Sequence, residues 1–213
     1  MTIIDVRQGT PEWFAARLGR VTGSRAKDVT ALTKNGEAAA RRDYRLELVA
    51  ERLTGRHDDS GFTSKEMQRG TDMEPMAFAA YEFESGHLVR RTGFVQSVNL
   101  ATGCSLDGDV SDMDGIIEIK CPKSATHFGH FNSATVPSNH MPQIVHNLWV
   151  TGAGWCDFVS FDDRFPEALQ LVIRRVTRDD AVIAGYALQV EAFLAEVDRD
   201  EINARKLMKG RAA

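Results

Sequence analysis

Five carboxylates fall between positions 107 and 118 (Asp107, Asp109, Asp112, Asp114 and Glu118), and no lysine or arginine relieves them before Lys120. The stretch Gly115-Ile116-Ile117-Glu118-Ile119-Lys120-Cys121 alternates. As a strand it sets Ile117 and Ile119 on one side and Glu118 and Lys120 on the other. Asp107 closes the preceding segment, and a turn at Gly108 brings it back beside that strand. An Asp, a Glu and a Lys then converge at one sheet edge, with the carbonyl of Ile119 between the last two. Two carboxylates, a carbonyl and room for water form the hard-oxygen set that Mg²⁺ or Mn²⁺ takes. A lysine two residues past the glutamate can hold a metal-bound water. In outline this is the chemistry of phosphodiester hydrolysis.

Two plainer readings compete. In a chain with 26% charged residues an Asp followed by Glu-x-Lys also arises by chance. Asp107, Asp109 and Glu118 further match ligand positions of a calcium-binding EF-hand loop. That loop demands glycine at its sharp turn, where this chain has Asp112. The flanks also read as strands, not as the exiting helix of an EF-hand, so the calcium loop is set aside.

Composition narrows the classes. The chain has 213 residues, 43% of them apolar, enough for one globular domain over 1–213 with a sizeable core. No apolar run is long enough to cross a membrane, and no signal peptide is evident. Three scattered cysteines, Cys104, Cys121 and Cys156, suggest no disulfide framework and fit a reducing cytoplasm. A net charge of −4 argues against general coating of nucleic acid. A local grip requires concentrated cations, and two stretches supply them: Arg17, Arg20, Arg25 and Lys27, then Arg41, Arg42 and Arg45. The ordinary alternative for each is a solvated helix face.

The positioning elements follow from pattern. Thr10 caps a helix that opens with Pro11 and Glu12, buries Trp13 and Phe14, exposes Arg17 and stops at Gly19. Ser24 caps a second helix to about Leu32, and its start, flanked by Arg17, Thr22 and Ser24, suits an anion. Residues 34–40 and 56–64 read as polar loops. Between them a helix over 41–54 carries Leu46, Val49, Ala50 and Leu53 inward. A helix over 66–85 has a core stripe of Met76, Ala79, Ala80 and Phe83, with Pro75 bending it. Glu74 shares a face with Phe78 and Tyr81, an odd place for a solvent-facing acid, which makes it the candidate third carboxylate. Two strands, 87–95 and 99–106, lead into the acidic stretch. Beyond it a short helix carries His127 and His130 one turn apart, a zinc-like spacing without supporting ligands. A helix reaching Val150, capped by Ser138 or Asn139, bears Gln143 and Asn147 as a polar stripe. Strands at 155–161 and 168–176 and a helix over 179–198 follow, the last with Ile183, Tyr186, Val190, Phe193 and Val197 inward. From about residue 203 the tail is basic and reads as mobile. The order implies an α/β or α+β fold, a mixed sheet flanked by helices.

Six short segments, in order, resemble the lambda-exonuclease-like viral recombinase family of the restriction-endonuclease-like, PD-(D/E)XK superfamily. They are Arg17-Leu18-Gly19 with Thr22-Gly23-Ser24, Gly70 with Glu74, Tyr81-Glu82-Phe83 with Ser85-Gly86, Cys104-Ser105-Leu106-Asp107-Gly108, Glu118-Ile119-Lys120-Cys121-Pro122, and Gln143 through Thr151. The resemblance implies a Mg²⁺- or Mn²⁺-dependent 5′-to-3′ exonuclease on linear double-stranded DNA, with two ions per site. Asp107, Glu118 and Ile119 are then metal ligands, Lys120 positions the water, and Glu74 is a helix-borne acid near the metals. Gln143 orients the phosphate or the water, and Arg17 with Thr22 and Ser24 takes the 5′ phosphate. The family also implies a phage or prophage protein in a bacterial cytoplasm, a single-strand annealing partner and a homotrimeric ring. Leu106, where the superfamily expects proline, and His146, where relatives carry tyrosine, depart from the pattern. An endonuclease of the same fold and a non-catalytic DNA-binding module are the alternatives.

Overall fold

Two mixed β-sheets meet where the chain passes Leu106 and Asp107. The computed structural model describes residues 1–34, 36–57 and 65–211. In chain order the elements are β1 (Thr2–Ile4), α1 (Pro11–Arg17), β2 (Val21–Thr22), a 3₁₀ turn Gly23–Arg25, α2 (Ala26–Val29), β3 (Leu32–Thr33), β4 (Gly36–Glu37), α3 (Ala39–Thr54) and α4 (Lys65–Ser85). There follow β5 (Val89–Arg90), β6 (Phe94–Gln96), β7 (Thr102–Ser105), β8 (Gly108–Val110), β9 (Gly115–Lys120), α5 (Ser124–Phe131), α6 (Met141–Thr151), β10 (Trp155–Phe161), β11 (Leu171–Thr177) and α7 (Asp180–Arg211). One sheet has the order β1-β6-β7-β2 and the other β11-β10-β9-β8-β5. The architecture is the mixed α/β arrangement expected from the sequence.

The central strand β9 pairs antiparallel with β8 and parallel with β10. A parallel neighbour needs a long crossover, and α5 and α6 supply it. Helices cover both faces, so β9 is buried on both and carries an isoleucine toward each. Ile116, Cys156 and Phe158 pack with Ile144 and Leu148 of α6, whereas Ile117, Ile119, Val159 and Phe161 pack with Ala77, Phe78 and Tyr81 of α4. The alternation therefore holds: Glu118 and Lys120 lie on the α6 side. A third cluster joins Tyr44 and Leu48 of α3 to Tyr186, Val190, Phe193 and Val197 of α7. The stripe expected for α7 is buried, although the helix continues to Arg211 instead of ending near residue 198.

Several local expectations change. Thr10 does cap α1, accepting from the Trp13 N–H at 3.3 Å. Arg17, however, is half-buried. The second helix is one short 3₁₀ turn plus the four residues of α2, and Ser24 makes no capping bond. Residues 32–37 form the small β3–β4 hairpin in place of a loop, with 35 outside the described residues, as is 58–64 of the second expected loop. In α3 the buried face is Tyr44, Leu48 and Val49, while Leu46 is half exposed. In α4 the expected stripe is wrong: Phe83 is 92% exposed and Met76 49%. The face of Phe78 and Tyr81, which Glu74 shares, turns inward instead. The β8–β9 hairpin turns through Ser111, Asp112 and Met113, all with positive φ, not at Gly108.

Tail residue Arg205 lies within α7 and bonds to Glu201 and to the Arg52 carbonyl. Glycine in the left-handed region ends α6: Gly152, at φ +76°, donates its N–H to the Leu148 carbonyl at 3.0 Å.

Candidate active site

Continuing the β8–β9 register one pair beyond Gly108↔Ile117 sets Asp107 opposite Glu118. Asp107 is fixed there by the Ile119 N–H, which donates to Oδ2 at 2.6 Å. The backbone of β9 thus aims Asp107 while its side chains supply Glu118 and Lys120. Lys120 donates to Oε1 of Glu118, and Asn147 of α6 donates to Oε2 at 3.3 Å. Glu118 is 1% exposed, so its charge depends on these two donors.

The electrostatics are uneven. Burial, then the Glu118 charge, push the Asp107 carboxyl up to about 8, against the opposing pull of Lys120 and the Ile119 N–H. For Lys120, burial alone would lower the pKa, but Glu118 and then Asp107 carry it above the lysine range. Two carboxylates face one ammonium, and a cation is what would balance them. Hard carboxylate oxygens are the ligands that Mg²⁺ or Mn²⁺ takes. Two other acids of the stretch are paired: Arg90 binds both oxygens of buried Asp109 at 3.0 and 3.1 Å and also reaches Asp112. That pairing takes Asp109 out of any calcium loop.

Glu74 lines a cleft of ≈ 830 Å³ together with Asp107, Trp13 and Arg91. Arg91 pairs with it at 3.4 Å. Its charge acts on Asp107, which places it near the two carboxylates though not in contact with them. Gln143 stands one helical turn before Asn147 on the same face of α6.

A second cleft, of ≈ 950 Å³, is lined by Arg17, Arg20, Thr22, Ser24, Arg25 and Tyr44 among others. Arg17 lies over the Trp13 ring, 4.1 Å from its centroid, and donates to Ser105 Oγ at 3.0 Å. Its other nitrogen is 3.4 Å from the hydroxyls of both Thr22 and Ser24. Among the described residues it pairs with no carboxylate. Burial lowers its pKa, against a weaker opposing pull from Tyr44 and Glu51. The expected helix start is a short 3₁₀ turn, and its Thr22 N–H is engaged by Tyr44 Oη. The Arg17 guanidinium and the hydroxyls of Thr22 and Ser24 form one end of the cleft, with Glu47 and Glu51 also in its lining.

Sequence reasoning missed Ser105, the hydroxyl that receives both Arg17 and the Trp13 indole N–H, two residues before Asp107. Asn147, in sequence only part of a polar stripe, joins the site as a donor to Glu118. Of the two basic stretches, the second is used internally: Arg41 and Arg45 pair with Glu37, Glu196 and Asp200. His127 and His130 both bond to Ser160 Oγ, at 2.9 and 3.0 Å, and are buried on the sheet. Among the described residues the one close metal-capable trio is Glu47, Glu51 and His57, in the Arg17 cleft. Glu47 is matched by Arg25, and Glu51 by the Gly19 N–H and His57.

Residues 12–154 match the profile of the YqaJ-like viral recombinase domain. No curated protein matches the chain. Among solved structures, the alkaline exonuclease LHK-Exo from Laribacter hongkongensis is 41% identical, over 96% of this chain and 100% of that one, with a TM-score of 0.85. The same enzyme in complex with dAMP gives the same values. A phage-related exonuclease from Haemophilus somnus shares the fold at 15% identity and a TM-score of 0.66, over 84% of this chain and 94% of its own.

Proposed function

This chain belongs to the YqaJ-like viral recombinase family, and on that premise we propose that it is a metal-dependent 5′-to-3′ exonuclease of linear double-stranded DNA. The observation that carries the proposal is the pairing of two half-sites across Trp13 and Ser105. One is acidic, with Asp107, Glu118 and Lys120, and the other is Arg17 ringed by hydroxyls. The 41% identical relative is an alkaline exonuclease seen with dAMP, which supports the reaction class.

Asp107 and Glu118, with the Ile119 carbonyl, would hold Mg²⁺ or Mn²⁺, two ions with help from Glu74. Such ions activate water and neutralise charge on the phosphate. Lys120, already bonded to Glu118, orients the attacking water, and Gln143 the phosphate. Arg17, Thr22 and Ser24 bind the terminal 5′ phosphate by charge-assisted bonds. Each cut then presents a fresh 5′ phosphate to the same pocket. Membership of a viral recombinase family supports a role in phage recombination within the bacterial host's cytoplasm. A single-strand annealing partner and a homotrimeric ring on the duplex belong to the same reading.

End-labelled linear duplex with 5′-phosphate or 5′-hydroxyl ends, digested with Mg²⁺ beside closed circular DNA, tests it. The expected result is faster loss of the phosphorylated 5′ end and an intact circle. Cutting of the circle would point to an endonuclease, and loss from the 3′ end would reverse the polarity.

A further inference from the structure

Both oxygens of Glu118 are engaged, Oε1 by Lys120 and Oε2 by Asn147. Asn147 is 1% exposed, and its own Oδ1 is buried without a hydrogen-bond partner among the described residues. An unmet acceptor in the interior is unfavourable, so packing alone does not explain an amide here. Its donor side serves the carboxylate. Its acceptor side abuts Gly23, where a Cβ would lie 2.3 Å from Oδ1. Gly23 in turn separates Thr22 from Ser24, the two hydroxyls beside Arg17. Asn147 therefore stands between the acidic half-site and the turn that carries the cationic one.

We infer that Asn147 is a positioning residue that fixes Glu118 for its cation and ties that carboxylate to the Thr22–Ser24 turn through Gly23. The inference rests on the hydrolase reading above and goes beyond it. A glutamate terminal torsion is soft, so holding one oxygen determines where the other directs its lone pairs. Hydrogen bonds to a ligating carboxylate commonly set metal affinity. Gly23 matters because any side chain there would press on Oδ1 and swing the amide off Glu118.

Calorimetric titration of the full chain with Mn²⁺, with thermal melting to check folding, tests the assignment. Asn147→Ala and Asn147→Leu should each weaken Mn²⁺ binding about tenfold or more. In turnover assays the same variants should lower kcat at limiting metal while KM for DNA ends and the 5′-phosphate preference persist. Gly23→Ala should weaken Mn²⁺ in the same direction. Wild-type affinity in Asn147→Leu, which fills the space without a donor, would overturn the inference, and wild-type affinity in Gly23→Ala would remove the tie to the turn. If the Asn147 variants do not fold, Gly23→Ala alone decides. A Glu118→Gln protein that binds Mn²⁺ as the wild type does would overturn the hydrolase reading itself.

Discussion

Arginine plays opposite parts in two regions of this molecule. Between α3 and α7, every inward arginine meets acids: Arg41 binds Glu196 and Glu37, Arg45 binds Asp200 and Glu37, and Arg52 binds Asp198 and Glu201. Around Asp107 the accounts are left open. Two carboxylates share one lysine, and Arg17 has hydroxyls where the α3 arginines have carboxylates. In the first region charge joins helices; in the second, on the proposal above, it serves a ligand. In sequence the two looked alike, as short basic stretches. What separates them is whether the fold itself supplies the counter-charge.

The largest way to break this contrast is to remove the unmatched groups. Asp107→Asn, Glu118→Gln or Lys120→Ala should each reduce cleavage at least about a hundredfold, the scale of a lost catalytic group. DNA binding in Ca²⁺, followed by gel shift, should survive. Near-normal turnover in Lys120→Ala would take the lysine out of the mechanism.

A buried group that avoids charge altogether gives the next effect. His146 bonds to Tyr186 Oη at 2.7 Å and to the Gly103 carbonyl at 3.0 Å, and burial brings its pKa down to about 4. The unfolded chain, with an ordinary value near 6.5, binds the proton first as pH falls. The contribution is therefore complete above about 6.5 and lost progressively toward 4, to a total of about 3 kcal/mol. Urea midpoints measured from pH 7 to 4 should fall, and His146→Gln should flatten the decline. An unchanged slope would mean that other groups dominate.

Smaller again is Arg17→Ala. Losing charge-assisted bonds to a terminal phosphate should weaken binding of 5′-phosphorylated ends about tenfold and leave 5′-hydroxyl ends nearly unaffected. The slope of affinity against salt should become shallower by about 1. Equal loss for both ends would make Arg17 a general contact. Least of all, Arg45→Gln should lower stability by about 1 kcal/mol with normal cleavage. A cleavage defect there would blur the distinction between the two regions.

How far the sequence spoke depended on period and distance. The strand β9 was legible because Ile117, Glu118, Ile119 and Lys120 alternate, and α7 because Ile183, Tyr186, Val190, Phe193 and Val197 recur every three or four residues and are all buried. In α4 two apolar faces compete, Met76 with Phe83 and Phe78 with Tyr81, and only the sheet beneath decides between them. The role of Asn147 could not be read, since its partner Glu118 comes from another element across the crossover. The partners of Arg41 and Arg45 lie further still, at Glu196 and Asp200. Counter-charge from a distant helix leaves no mark on a local stretch.

The parallel pairing of β9 with β10 also governs when the site can exist during synthesis. The β8–β9 hairpin is local and can close early, but Glu118 meets its strand neighbour Phe158 only after α5 and α6 have been made. A ribosome-bound chain ending near Thr151 would carry Asp107, Glu118 and Lys120 on a strand open along one edge. The Ile119 N–H is turned toward Asp107, so the alternate amides of Glu118 and Lys120 face β10. Hydrogen exchange on a chain truncated after Thr151 should find these two fast, against slow exchange in the full chain, and protection of both in the truncated chain would show that this edge is covered without β10. On this topology the strand that carries the proposed metal ligands gains its second neighbour only once translation has passed β10.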